Sequence, residues 1–132
     1  MNMPSNYIAV LVAAVAAYAT GAIWYMALGK PWMNALGKTR EELQGRSMTG
    51  YVGAFVAALV ASLILALFIV NLPSGGLFEG AVAGVLAALG FGVTAFLSDA
   101  LFAGRGLKLW AINSGHQVVA LGIAGAILGA WR

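Results

Sequence analysis

The side chains able to do chemistry in this sequence gather around one stretch, Leu101 to Gln117, LFAGRGLKLWAINSGHQ. Arg105 and Lys108 form a tight basic turn, and Trp110 follows at once. Asn113, His116 and Gln117 begin the last apolar run, and Asp99 lies just before the turn. A carboxylate beside an imidazole suggests a proton or small-cation site, because imidazole changes charge near neutral pH. The same groups also suit a structural clasp. Asp99 would then accept hydrogen bonds from Asn113, His116, or Trp24 or Tyr25 in the first apolar run. Interhelical bonds of this kind contribute about 0.6–2 kcal/mol each. If the chain reverses at Arg105-Gly106, Asp99 falls level with Asn113. His116 then sits one turn deeper on the same face, roughly 12 Å from Lys108 at the helical rise. A polar cluster at that depth belongs on a protein-facing side. Of the two readings, the clasp is the one expected here.

Other chemistries lack their parts. Ser98 and Ser114 share the single histidine, and no G-x-S-x-G elbow occurs. Gly75-Gly76 is followed by no P-loop lysine. One histidine with one nearby aspartate is too small a ligand set for a metal, and there is no cysteine to supply a thiolate or a disulfide. The expectation is a protein without catalytic residues, metal or cofactor.

The elements that must position this cluster follow from composition. The 132 residues are 62% hydrophobic and only 8% charged, with mean hydropathy +0.94. Ordinary soluble domains are about 25% charged, so a bilayer is the solvent that suits this chain. The 18 glycines and many alanines let helix backbones approach closely in lipid. A net charge of +3 is too thin for a nucleic-acid surface, and no nucleic-acid partner is expected.

The pattern predicts an all-α, single-domain, integral membrane four-helix bundle, built as two antiparallel hairpins. The spans are expected at about residues 6–28, 49–71, 77–103 and 108–131. Residues 1–6 carry no lysine or arginine, and the apolar run continues past Ala17-Tyr18-Ala19 to Leu28. The first run therefore reads as a retained span and not a cleaved signal. Ala13, Ala17 and Gly21 make a flat stripe along it. Gly50, Ala54, Ala58, Ser62 and Ala66 recur every four residues along the second run and form the most regular small-residue row, read as a helix-packing face. Phe55, Leu59, Leu63 and Leu67 are then expected to face lipid. Gly80 with Gly84, and Gly125 with Gly129, provide further close-approach pairs. Residues 29–48 read as a short amphipathic elbow at the interface. Pro31 opens a short helix, Trp32, Met33 and Leu36 form its apolar side, and Gly37 ends it. Thr39-Arg40-Glu41-Glu42 has capping-box spacing for another turn.

Four spans put both ends of the chain on one side. The elbow and the last turn share the other side, with Lys30, Lys38, Arg40, Arg46, Arg105 and Lys108, six of the seven basic residues. The positive-inside rule makes that side cytoplasmic and both termini outside, in an inner membrane. Trp24, Tyr25, Lys30, Trp32, Arg105, Lys108 and Trp110 read as interfacial, lipid-contacting residues. The halves also echo each other, with Trp32 before Asn34 and Trp110 before Asn113.

Two stretches resemble the signatures of a bacterial membrane family catalogued as domain of unknown function 1761. The first is Gly21-Ala22-Ile23-Trp24-Tyr25 with Leu28-Gly29-Lys30-Pro31-Trp32-Met33. The second runs from Leu101-Phe102 through Arg105, then Leu107-Lys108-Leu109-Trp110-Ala111-Ile112-Asn113, and ends Gly125-Ala126-Ile127-Leu128-Gly129-Ala130-Trp131. The sequence departs at Gly106, where proline is expected, and at His116-Gln117, where an aromatic-histidine pair is expected with the histidine one place later. The resemblance implies four helices and brings no activity. The expected role is a non-enzymatic structural or accessory subunit, self-associating or joined to a larger membrane complex, with lipids as neighbours. A proton-linked carrier using Asp99 and His116, or an anionic-lipid-binding protein, is the alternative.

Overall fold

A computed structural model describes residues 1–39 and 48–132. Among them the structure is all helical: α1 Tyr7–Ala27, α2 Gly29–Leu36, α3 Met48–Val70, α4 Leu77–Ala103 and α5 Leu107–Ala130. All but α2 are long and apolar enough to cross a membrane. The capping-box sequence expected from Thr39 onward falls largely outside the described residues.

Local chemistry sets the ends. The Asn6 side chain accepts the Ala9 N–H at 3.1 Å and caps α1. Leu28 closes α1 through a bond to the Trp24 carbonyl, and α2 begins one residue later with Pro31 in its first turn. Gly37 stops α2 in the left-handed region, at φ 71°. The turn between α4 and α5 needs two further left-handed residues, Gly104 at φ 67° and Gly106 at φ 88°. Side-chain-bearing residues rarely adopt that backbone.

Helix α5 is the hub and touches every other described helix. Its closest neighbour is α4. A Cβ built on Gly80 would overlap the Gly125 carbonyl and lie 2.8 Å from the Gly129 Cα; one built on Gly84 would overlap the Leu121 carbonyl. Gly125 and Gly129 are equally intolerant, against the carbonyls of Gly80 and Gly76. Further along, Gly92 seats the Gln117 side chain. As the α4 numbers rise the α5 numbers fall, so the two helices run in opposite directions with backbone against backbone.

On the other side of α5 lies the main apolar core. Ala9, Val10, Ala13 and Ala17 of α1 meet Leu65, Ala66 and Ile69 of α3 and Ala120, Ala124 and Leu128 of α5. The small-residue row of α3 is thus covered only over its second part. Ser62 and Ala66 are buried, Ala58 is half-buried, and Ala54 and Gly50 are exposed. The expected lipid face of α3 is corrected as well. Phe55 packs edge-on against Tyr18, with centroids 5.7 Å apart, and Leu59 packs on the core. The aromatic pair fills space between α1 and α3. Leu63 is exposed and Leu67 half-buried.

Helix α4 contains a π turn at Ala88–Val93. Such a turn adds a residue to one helical repeat and changes the face presented by everything after it. Thr94 Oγ1 donates to the Gly90 carbonyl at 2.8 Å.

The α4–α5 contact generates a direct test. Gly84→Ala should lower stability by about 1–3 kcal/mol by overpacking against the Leu121 backbone. Gly90→Ala, where a Cβ meets nothing within 4 Å, should shift it by less than about 0.5 kcal/mol. Reversible unfolding by sodium dodecyl sulfate in mixed micelles would measure both.

Candidate functional site

The polar residues of α5 do come together with α1, but through different bonds from those expected. Tyr25, in the last turns of α1, donates its hydroxyl to Asn113 Oδ1 at 2.7 Å. Trp24 Nε1 donates to the Ile112 carbonyl at 3.0 Å. The Trp24 ring lies on Gly115, where a built Cβ would come within 2.8 Å of the ring. The Tyr25 ring tilts against His116, with centroids 5.2 Å apart, and on its other flank meets Trp32 of α2 at 5.3 Å. His116 in turn points Nε2 at α1. A Cβ on Gly21 would lie 2.9 Å from that nitrogen. Gly21 and Gly115 are therefore reciprocal seats: each admits an aromatic ring from the other helix.

Asp99 stands apart from this cluster. Its carboxylate pairs with Arg105 Nε at 2.9 Å, and both side chains are more than half exposed. The pairing of Asp99 with Asn113 or His116 is corrected on this point. The π turn lies between the helix entrance and Asp99, so levels counted along α4 do not give the direction in which Asp99 points. Gln117 faces α4 at Gly92, and its side chain lies on a different helix contact from His116.

The residues read as interfacial divide in two. Lys30, Arg105 and Lys108 are exposed. Trp24, Tyr25, Trp32 and Trp110 are half-buried, and the polar atoms of Trp24, Tyr25 and Trp110 turn inward. Trp110 Nε1 donates to the Val93 carbonyl at 3.0 Å, at the end of the π turn. Trp110 thus ties α5 to α4 while Trp24 ties α5 to α1.

Among the described residues, three buried polar side-chain atoms have no hydrogen-bond partner: Ser62 Oγ, Ser114 Oγ and His116 Nε2. Neither serine was singled out as an orphan from sequence, since a helical serine ordinarily bonds the carbonyl one turn back. At the opposite end of the bundle a second polar group closes the structure. Arg132 Nη1 donates to the carbonyls of Ile69 at 2.8 Å and Leu72 at 3.1 Å. Asn6 Nδ2 donates to the Trp131 carbonyl at 2.7 Å. Asn71 exchanges bonds with the Asn2 backbone, both at 2.8 Å. These contacts satisfy carbonyls that helix ends leave without partners. Sequence offered no signal for them beyond the presence of amides and a guanidinium near helix ends.

The comparisons with known proteins bear on this arrangement. A family described as protein of unknown function (DUF1761) matches residues 8–129. The chain belongs to that family. The matched range takes in Gly21, Trp24, Tyr25, Asn113 and His116. No curated protein and no solved structure matches the chain. The glycine at 106, where the sequence resemblance led to an expectation of proline, has a structural reading. At φ 88° this position excludes proline, whose ring holds φ near −65°, so the turn is formed differently from one built on proline.

Chemically, the arrangement is a clasp between α1 and α5. It joins two hydrogen bonds across the contact to two rings seated on glycines. No group of three or more possible metal ligands gathers among the described residues.

Tyr25→Phe should destabilise the protein by about 0.6–2 kcal/mol, and Asn113→Ala by a similar amount. The double variant should lose less than the sum, revealing coupling in a thermodynamic cycle. Asp99→Asn should change stability by less than about 1 kcal/mol, because its ion pair is solvent-screened.

Proposed function

We propose that this protein is a non-enzymatic structural or accessory membrane subunit that associates through the open part of the α3 small-residue face. The supporting observation is a contrast between glycines. Those of α4 and α5 at positions 80, 84, 125 and 129 have no room for a Cβ, whereas at Gly50 and Gly53 a Cβ would meet nothing within 4 Å. The row Gly50, Ala54, Ala58 continues the same stripe that Ser62 and Ala66 bury against neighbouring helices. A face of that texture suits close packing with another helix, of a second copy or of a larger complex.

In this reading the chain forms two antiparallel helical hairpins in an inner membrane. Lys30, Lys38, Arg105 and Lys108 mark the cytoplasmic side, both termini lie outside, and α2 rests as an elbow at the interface. The exposed basic side chains are then placed against anionic headgroups. A carrier built on Asp99 with His116 is less well supported, because Asp99 pairs with Arg105 on the surface while His116 packs on α1.

Native mass spectrometry and crosslinking from mild detergent would test the assembly. Oligomer, or complex with a defined membrane partner, is expected for the wild type. Gly50→Leu with Ala54→Leu should reduce it at least several-fold while leaving helicity unchanged. A strictly monomeric wild-type protein without any partner would overturn the reading.

A further inference from the structure

We propose that the α1–α5 contact is a pH-responsive latch, held closed by neutral His116 and released when His116 takes up a proton at Nε2. The argument begins with the position of that nitrogen. It is buried, has no hydrogen-bond partner, and faces the one residue of α1, Gly21, that leaves room for it. A neutral ring can occupy this position as a flat packing surface against Tyr25. An imidazolium cannot do so without an acceptor for its new N–H, since an unpaired charge in a low-dielectric contact is strongly disfavoured.

The surroundings supply no counter-charge. From α1 the neighbour is Tyr25, whose hydroxyl proton is already donated to Asn113, and α1 carries no charged residue. From α2 the charged group is Lys30, which is exposed and of the wrong sign. Helix α3 has only Tyr51 as a titratable group, also exposed. Helix α4 carries Glu79 at its far end and Asp99, which pairs with Arg105. On α5 itself the charge is Lys108, exposed and again positive. Among the described residues, therefore, no carboxylate faces His116. Protonation finds its acceptor by admitting water, and water enters where Gly21 and His116 now touch.

Imidazole is the side chain whose ordinary charge change falls between pH 5 and 8, and a contact that disfavours the charged ring stays closed through the upper part of that range and opens from its acidic end. The Tyr25–Asn113 and Trp24–Ile112 bonds lie on the same contact and part with it. Opening loosens α1 from α5 but leaves the glycine contact of α4 with α5 in place, because no titratable group lies in that contact.

The chain has no cysteine, so introduced cysteines at Ile23 and Val119, both exposed, accept spin labels specifically. Interspin distances would be recorded at pH 8 and pH 5 for the full chain in lipid nanodiscs. The wild type should show a longer or broader distribution at pH 5 that returns on raising the pH. His116→Gln and His116→Phe should each abolish the change. A control label pair across α4 and α5, at Val82 and Ile123, should not respond. An unchanged wild-type distribution between the two pH values would overturn the proposal, independently of how the variants fold. So would a change of equal size in either His116 variant, or an equal response of the α4–α5 pair.

Discussion

The backbone contact between α4 and α5 is the constraint on which the other helices depend. Lipid tails are as apolar as leucine, so helices gain little by hiding apolar side chains from one another. What they gain is contact, and contact is closest where side chains are absent. Gly80, Gly84, Gly125 and Gly129 bring two carbonyl-lined surfaces together with no space between them. That arrangement fixes α5 in position and rotation. The opposite side of α5 then presents Ala120, Ala124 and Leu128 to α1 and α3, and its cytoplasm-proximal turns, in the proposed orientation, present Asn113 and His116 to α1.

The second contact, between α1 and α5, is of another kind. It mixes alanines toward one end with aromatic rings and hydrogen bonds toward the other. The alanines set the distance, and Trp24 and Tyr25 set the register, since each donor reaches one specific acceptor. Polar bonds buried in an apolar setting carry more specificity than net stability. The wrong rotation of α1 would leave an indole N–H and a phenol unpaired, which is disfavoured in lipid.

Much of the fold was legible in the residues. Long apolar runs interrupted by Lys-, Gly- and Pro-containing segments mark four helices whatever their packing. The glycine pairs at 80 and 84 and at 125 and 129 were visible as close-approach sites, and so was the Ala13, Ala17, Gly21 stripe. Which rows meet was not legible, because a small-residue row is compatible with any other. The most regular row, on α3, is covered over only part of its length. The participation of Asn113, His116, Trp24 and Tyr25 in one cluster could be read from their depth along the spans. The exclusion of Asp99 could not. Depth is a one-dimensional quantity that sequence supplies, whereas direction around the axis accumulates along the helix and is reset by the π turn at Ala88–Val93. Nothing in ALGFGV announces that turn beyond its two glycines.

The guanidinium of Arg132, bonded to the carbonyls of Ile69 and Leu72, has a bearing on the order of assembly. A ribosome delivers α3 more than fifty residues before it delivers Arg132, so the end of α3 enters the bilayer with these acceptors still open to water or headgroups. The Trp131 carbonyl, which Asn6 holds, arrives equally late. The bonds made by Arg132 and by the Trp131 carbonyl therefore form only after α5 has been made. The Asn71–Asn2 pair, whose partners are both made earlier, is the polar tie at this edge that can form before α5.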